Sequence, residues 1–256
     1  MFSQEARCAV IAHRGASAVE AENTLPAFEA AIAAGADAVE FDVRTSADGV
    51  VIVMHDDDVA RTTDGAGLVH ELRLEEIKRL RIRTSAGGET DVPTLEEVLA
   101  CVSGQAGVDI EIKSIPGEPG FDPHADPLVD ATISVVRRAG FVGAILLTSF
   151  NPFSLARARE IAPDIPTGLL SDPTATARAA YGFAKEQGYG WVLPFVDRLR
   201  DAGDGFVADV HGAGLRVGTW VVDDPEVALE LMHAGVDAVA TNEPAALVAA
   251  RAEAFR

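Results

Sequence analysis

His13-Arg14-Gly15 stands directly after the apolar run Cys8-Ala9-Val10-Ile11-Ala12, and three further polar clusters stand in the same relation to an apolar run. They are Glu40-Phe41-Asp42, His55-Asp56 and Glu111-Ile112-Lys113. If one scaffold gathers them, two histidines, the carboxylates of Glu40, Asp42 and Glu111, an arginine and a lysine meet at one end, with Asp56 beside His55. That set suits metal-assisted cleavage of a phosphodiester. Histidine can give or take a proton near neutral pH. Guanidinium grips two phosphate oxygens at once, and clustered carboxylates call for a cation between them.

The clusters converge only if the right elements carry them. Short β-branched runs alternate with alanine-rich amphipathic stretches almost throughout, the pattern of parallel strands joined by crossover helices. Strands are predicted at 8–12, 36–42, 50–55, 108–113, 144–149, 165–170, 191–194, 216–221 and 237–241. Helices are predicted at 24–34, 95–103, 126–139, 152–162, 174–187, 198–213, 224–234 and 244–255. Asn151-Pro152, Asp224-Pro225 and the capping box from Thr94 to Glu97 mark helix starts.

Nine strands are one too many for a (β/α)8 TIM barrel, and the surplus can be located. Between Asp42 and Val50 there is room for a turn at Asp48-Gly49 but not for a helix. The run 50–55 should therefore fold back antiparallel on 36–42, with paired residue numbers summing to about 96. That register would set His55 opposite Phe41, beside Glu40 and Asp42. Removing this arm leaves eight strands and eight helices in a single barrel domain over 1–256. Residues 57–93, rich in charge and glycine, are too long for a βα loop and read as a small insertion, a cap or lid over the active end.

Side chains at i and i+2 of a strand share a face, so Glu40 and Asp42 point together, as do Asp109, Glu111 and Lys113. Val108, Ile110 and Ile112 must then meet the helices, which turns the charged face into the barrel mouth. Active sites of such barrels lie at the C-terminal ends of the strands. Glu40, Asp42 and Glu111 are the expected ligands of one divalent cation, Mg2+ or Ca2+. The alternative is a salt-bridge network in which Lys113 and Arg14 neutralise the acids. Zinc fits less well, since no cysteine or third convergent histidine joins the first two.

His13 and His55 are the expected proton-transfer pair, with Asp56 orienting His55. Arg14 is the expected phosphate contact, and Lys113 either a phosphate ligand or an ion-pair partner of Glu111. Asn23 positions the first loop or caps the following helix. Phe150 and Trp220 wall a slot for the alcohol or simply pack the barrel. His70, His124, His211 and His233 read as ordinary surface or structural histidines.

Composition narrows the partners. A formal net charge of −19 over 256 residues argues against nucleic acid and against an acidic membrane face. An anionic small molecule would then need the local positive focus of metal, arginine and lysine. Residues 1–7 lack the apolar core of a signal peptide, and no run is long enough to span a membrane. A cytoplasmic protein is expected, its oligomeric state open. Cys8 and Cys101 are too few for a disulfide framework and read as reduced thiols.

Several linked motifs add to this reading: HRG at 13–15, ENTLPAF at 22–28, GADAVEFDV at 35–43 and DGVVIVMHD at 48–56. They continue as RTTDGAG at 61–67, PTLEEVL at 93–99, IEIK at 110–113, SF at 149–150 and Trp220. In order and spacing the chain resembles the bacterial glycerophosphodiester phosphodiesterases over about residues 9–248. The resemblance implies a (β/α)8 barrel that hydrolyses glycerophosphodiesters to sn-glycerol 3-phosphate and an alcohol. It implies Glu40, Asp42 and Glu111 as metal ligands, His13 as general base, His55 as general acid and Arg14 as the phosphate grip. In that family the glycerol 2-hydroxyl can itself attack, through a cyclic phosphate, in place of water. Two other readings stand beside it: a phospholipase D-like or lysophospholipase D enzyme acting on lipid headgroups, and a non-catalytic barrel that only binds glycerophosphodiesters. The chain departs from the family pattern at Asp223, commonly Asn, at Asn242, commonly Asp, and at Ala21, often proline.

Overall fold

In a computed structural model that describes residues 8–118, 121 and 126–256, the alternation resolves into a closed (β/α)8 barrel. His124 and the leading residues 1–7, read above for histidine role and signal sequence, lie outside the described residues. The barrel strands are Ala9–His13, Ala38–Thr45, Gly107–Ile112, Ile145–Ser149, Thr167–Ser171, Trp191–Pro194, Arg216–Thr219 and Ala238–Thr241. They pair in parallel and in chain order, and the ring closes where the first strand meets both the last and the second, Ala9 on Ala238 and Ile11 on Ala38. Strands buried on both faces read as near-continuous apolar runs. Val10, Ile11, Val39, Phe41, Val108, Ile110, Leu146 and Leu147 are accordingly buried.

Val51–Val53 forms the antiparallel arm on the second strand, with Val43 opposite Val53 and Thr45 opposite Val51. Each pair sums to 96 (43 + 53 and 45 + 51), as the turn at Asp48-Gly49 requires. The ladder stops at Val53, however, so His55 does not face Phe41 as a strand partner. Met54 N–H still reaches Asp42 O at 2.9 Å, and Arg44 Nε donates to His55 O at 2.8 Å. The chain therefore leaves the sheet at Met54, while His55 remains beside the second strand.

Two helix predictions need correction. The single helix expected over 198–213 is two, Val196–Arg200 and Phe206–Gly212, because Gly203 and Gly205 both take left-handed φ between them. The helix expected from 174 begins at Ala177, capped by Thr176, whose hydroxyl accepts from Ala179 N–H. Elsewhere the start signals work as read. Thr94 and Glu97 form a reciprocal capping box, and Asn151 and Asp224 cap the helices that begin at Pro152 and Pro225.

The stretch 57–93 holds two short 3-10 turns, one helical turn at Leu74–Ile77 and a hairpin pairing Ile82–Arg83 with Glu89–Thr90. Its apolar residues Val59, Val69, Ile77, Ile82 and Val92 bury together with Ile52 and Met54 of the arm. The insertion thus packs on the same arm that leads into His55. Among the described residues no helix is long and apolar enough to cross a membrane. Cys8 and Cys101 are both free thiols, and burial pushes Cys8 up to about 12.

Candidate active site

The first loop is built around a backbone reversal. Arg14 sits at φ 57 and Asn23 at φ 58, both in the left-handed region that costs most side chains about 1–3 kcal/mol. The surroundings hold them there. Arg14 N–H donates to Glu40 Oε2 at 2.9 Å, and Arg14 O accepts from Asn23 N–H at 3.0 Å. Gly15 follows at φ 83, and a Cβ there would lie 2.7 Å from the Ala27 carbonyl carbon. The first helix is thereby pressed against the loop, and only glycine permits the approach. Thr24, not Asn23, caps that helix, its hydroxyl accepting from Ala27 N–H.

Asn23 is buried behind the second strand and donates to Asp42 Oδ2 at 2.8 Å. Its amide orients Asp42, and its own N–H on Arg14 O ties down the first loop. Asp42 also meets Arg14 Nε at 3.3 Å and Lys113 Nζ at 3.2 Å. Lys113 in turn donates to Glu111 Oε1 at 2.7 Å. On the third strand Asp109, Glu111 and Lys113 do line the interior, while Val108, Ile110 and Ile112 join the apolar core under the helices. Burying a charge without a partner is prohibitive, which is why the alternation reads so clearly.

Glu40, Asp42 and Glu111 offer ligand oxygens that all lie within 4.8 Å of one another. Burial, reinforced by the charges of Asp42 and Glu111, raises the Glu40 carboxyl well above its usual range. Burial and the Asp42 charge raise Glu111 to about 7, and Asp109 beneath it, chiefly through burial, also reaches about 7. For Asp42 burial works the same way, but Lys113 and Arg14 outweigh it and hold the carboxyl below the ordinary range. Glu40 Oε1 is buried with no hydrogen-bond partner among the described residues, while Asp42 Oδ1 faces Lys113 Nζ at 3.2 Å. Lys113 and Arg14 therefore leave the cluster under-neutralised, and its all-oxygen donor set fits a hard divalent cation.

The two histidines line one cavity with this cluster. His13 Nδ1 lies 2.8 Å from Asn242 Oδ1, and His55 Nδ1 lies 2.6 Å from Asp56 Oδ1. Burial lowers both imidazoles below their usual value; Arg14 adds to this at His13, while Asp42 opposes it at His55. His13, Arg14, Glu40, His55, Glu111 and Lys113 all line one cavity of about 200 Å³. Phe150 and Trp220 line it too, ring centroids 5.4 Å apart at 88°, and Trp220 Nε1 donates to Leu193 O at 3.0 Å. The wall is thus charged on one side and apolar on the other.

Several contributors escaped the sequence reading. Asn242 is held by Asp223, which accepts from Asn242 Nδ2 at 2.8 Å and from Asn242 N–H at 2.7 Å. Two of the three departures noted above, Asp223 and Asn242, are one facing pair, amide and carboxylate exchanged, and their reciprocity was the available signal. Glu22 salt-bridges Arg14 Nη1 at 3.0 Å, and Arg61 joins Glu22 to Asp56. Glu22 and Arg61 lay inside the ENTLPAF and RTTDGAG motifs. The remaining described histidines are structural where their partners show: His211 meets Asp237 at 2.8 Å and His233 the Leu229 carbonyl at 2.7 Å.

Fold and site together define a TIM-barrel hydrolase with a buried acidic cluster at the C-terminal rim and paired imidazoles beside it. Residues 13–246 match the model of the glycerophosphoryl diester phosphodiesterase family, and the chain belongs to that family. It is 33% identical over 250 residues to a glycerophosphodiester phosphodiesterase of Caldanaerobacter subterraneus subsp. tengcongensis, covering 93% of this chain and 96% of that one. Among solved structures it resembles an Oleispira antarctica phosphodiesterase in complex with the product sn-glycerol-3-phosphate. There the TM-score is 0.83 at 29% identity, with 96% of this chain and 97% of that chain covered. A glycerophosphodiester phosphodiesterase from Agrobacterium tumefaciens superposes with a TM-score of 0.79 at 28% identity, covering 94% and 99% of the two chains.

Proposed function

We propose that this chain hydrolyses small glycerophosphodiesters to sn-glycerol 3-phosphate and an alcohol. One observation carries the reading: each imidazole has its Nδ1 occupied by an oxygen acceptor, and both rings line one cavity with the carboxylate cluster. The remaining nitrogen of each ring, Nε2, is then left for proton transfer within the shared cavity. His13, kept neutral by burial, takes the proton of the nucleophile, a water or the glycerol 2-hydroxyl. His55, whose protonated form Asp56 favours, gives a proton to the leaving alcohol oxygen.

Arg14 and Lys113 bind phosphate oxygens, and Phe150 and Trp220 exclude water from the alcohol side. Glu40, Asp42 and Glu111 would hold a Mg2+ or Ca2+ ion. Bound there, the ion supplies Lewis-acid stabilisation of phosphoryl charge. The cavity suits a headgroup-sized diester, and an acyl chain would have to lie outside it. The insertion 57–93 serves as a cap over this end of a single barrel domain, in a protein of the cytoplasm.

The test is release of glycerol 3-phosphate from glycerophosphocholine with each cation, and its loss on chelation. Release is expected with at least one of them. Faster turnover of lysophosphatidylcholine would favour the lipid-headgroup enzyme instead, and no release with either cation would end the catalytic reading. Near wild-type turnover by His13→Ala or His55→Ala would overturn the proton-transfer roles.

A further inference from the structure

Arg61 lies in the 3-10 turn Val59–Arg61 of the insertion and does not line the catalytic cavity. Its guanidinium is nonetheless shared between two carboxylates. Nη1 and Nη2 donate to the two oxygens of Glu22 at 2.9 and 2.7 Å. Nε and Nη2 donate to the two oxygens of Asp56, Nη2 at 3.2 Å. Glu22 continues to Arg14 Nη1 at 3.0 Å, and Asp56 to His55 Nδ1 at 2.6 Å. A single planar fork thus completes an unbroken chain, Arg14–Glu22–Arg61–Asp56–His55, from the loop after the first strand to the end of the hairpin arm.

We propose that Arg61 is a positioning residue that sets Arg14 and His55 in register, so that the insertion governs turnover through this one side chain. The proposal rests on the reading of Arg14 as phosphate contact and His55 as general acid. The guanidinium suits the task because its donors lie in one plane and can serve two carboxylates at once. Without it, Asp56 is free to rotate away from His55 Nδ1, and the ring loses the partner that selects its tautomer. Glu22 would keep only Arg14, whose guanidinium must also reach Asp42. The Arg61 side chain is 47% exposed, so its ion pairs contribute little to folding. Its removal should register in turnover instead.

Arg61→Met and Arg61→Lys are to be compared with wild type and His55→Ala, each with saturating cation. Two substrates are used, glycerophosphocholine and the p-nitrophenyl ester of glycerol 3-phosphate, whose leaving oxygen needs no proton. Arg61→Met should lower kcat on glycerophosphocholine by about 10- to 100-fold, the scale of losing alignment by an ångström, with an unchanged unfolding midpoint. Arg61→Lys should recover little, since an ammonium cannot fork between Glu22 and Asp56. The loss should shrink on the nitrophenyl ester, as it should for His55→Ala. Wild-type kcat on glycerophosphocholine for Arg61→Met would overturn the proposal. So would equal losses on both esters while His55→Ala still distinguishes them. Full turnover by His55→Ala would instead sink the acid assignment, and the proposal with it, a result recognisable from that variant alone.

Discussion

The Nδ1 atom of His13 lies 2.8 Å from Oδ1 of Asn242, although the two residues are separated by 229 positions in the chain. The amide cannot be reversed, because its Nδ2 donates to the Asp223 carboxylate, which only accepts. Asn242 therefore presents an acceptor, His13 carries its proton on Nδ1, and the lone pair sits on Nε2.

Asn242→Leu removes the acceptor and should lower kcat by about 10- to 100-fold through loss of ring alignment, with native circular dichroism. The paired exchange Asn242→Asp with Asp223→Asn keeps an acceptor on His13 and a donor between the two positions, and should retain most of the activity. Steady-state kinetics on glycerophosphocholine check this, and equal activity of the two variants would show that the contact does not orient the ring.

Gly15→Ala should destabilise the protein by about 1–3 kcal/mol from its left-handed backbone alone, with the clash at Ala27 added to that. Relief of the clash moves His13 and Arg14 off the cavity wall, so activity should fall with stability. Urea unfolding and turnover on the same sample test both.

Lys113→Met removes the buried cation that Asp42 and Glu111 share. Leaving buried carboxylates without that partner should cost about 3–5 kcal/mol in metal-free protein. A saturating divalent cation should restore part of the loss, since it takes over the neutralisation. A denaturant midpoint unchanged from wild type without metal would contradict this account.

Stability should also depend on pH in a defined sense. Asp109 and Glu111 are raised to about 7 in the fold, from 3.8 and 4.5. The stability they contribute is fully present below about pH 4 and is lost as pH rises through about 7. Asp42 and Asp56 are shifted the other way, Asp56 to about 2 by its hydrogen bonds to Arg61, and they withdraw stability only at more acid pH. Three raised carboxyls, Glu40, Asp109 and Glu111, outweigh the opposite pull of His13 and His55, whose lowered imidazoles withdraw stability as pH falls. Chelated protein should therefore melt at lower temperature at about pH 8 than at about pH 5. Added Mg2+ or Ca2+ should reverse the fall at the higher pH and do little at the lower, where protons compete for the same oxygens. A melting point independent of pH in chelator would count against the buried acidic cluster.

Barrel, arm and acidic face were legible because each rests on a local rule. Alternation of side chains along a strand decides which face carries Asp109, Glu111 and Lys113, and the short Asp42–Val50 interval admits only a hairpin, whose register follows from its turn. The split of the 198–213 helix was also local, in Gly203 and Gly205.

Contacts between distant segments were decided only by the tertiary structure. Periodicity places a side chain on a face but does not say which remote side chain meets it. Ring closure brings the last strand beside the first and so delivers Asn242 to His13. Packing of the insertion on the hairpin arm delivers Arg61 to Asp56 and Glu22. Asn23 shows the same limit, since burial behind Asp42, not its type or spacing, commits its amide to a carboxylate. The residue kinds were written in the chain, while their pairing had to await closure of the barrel.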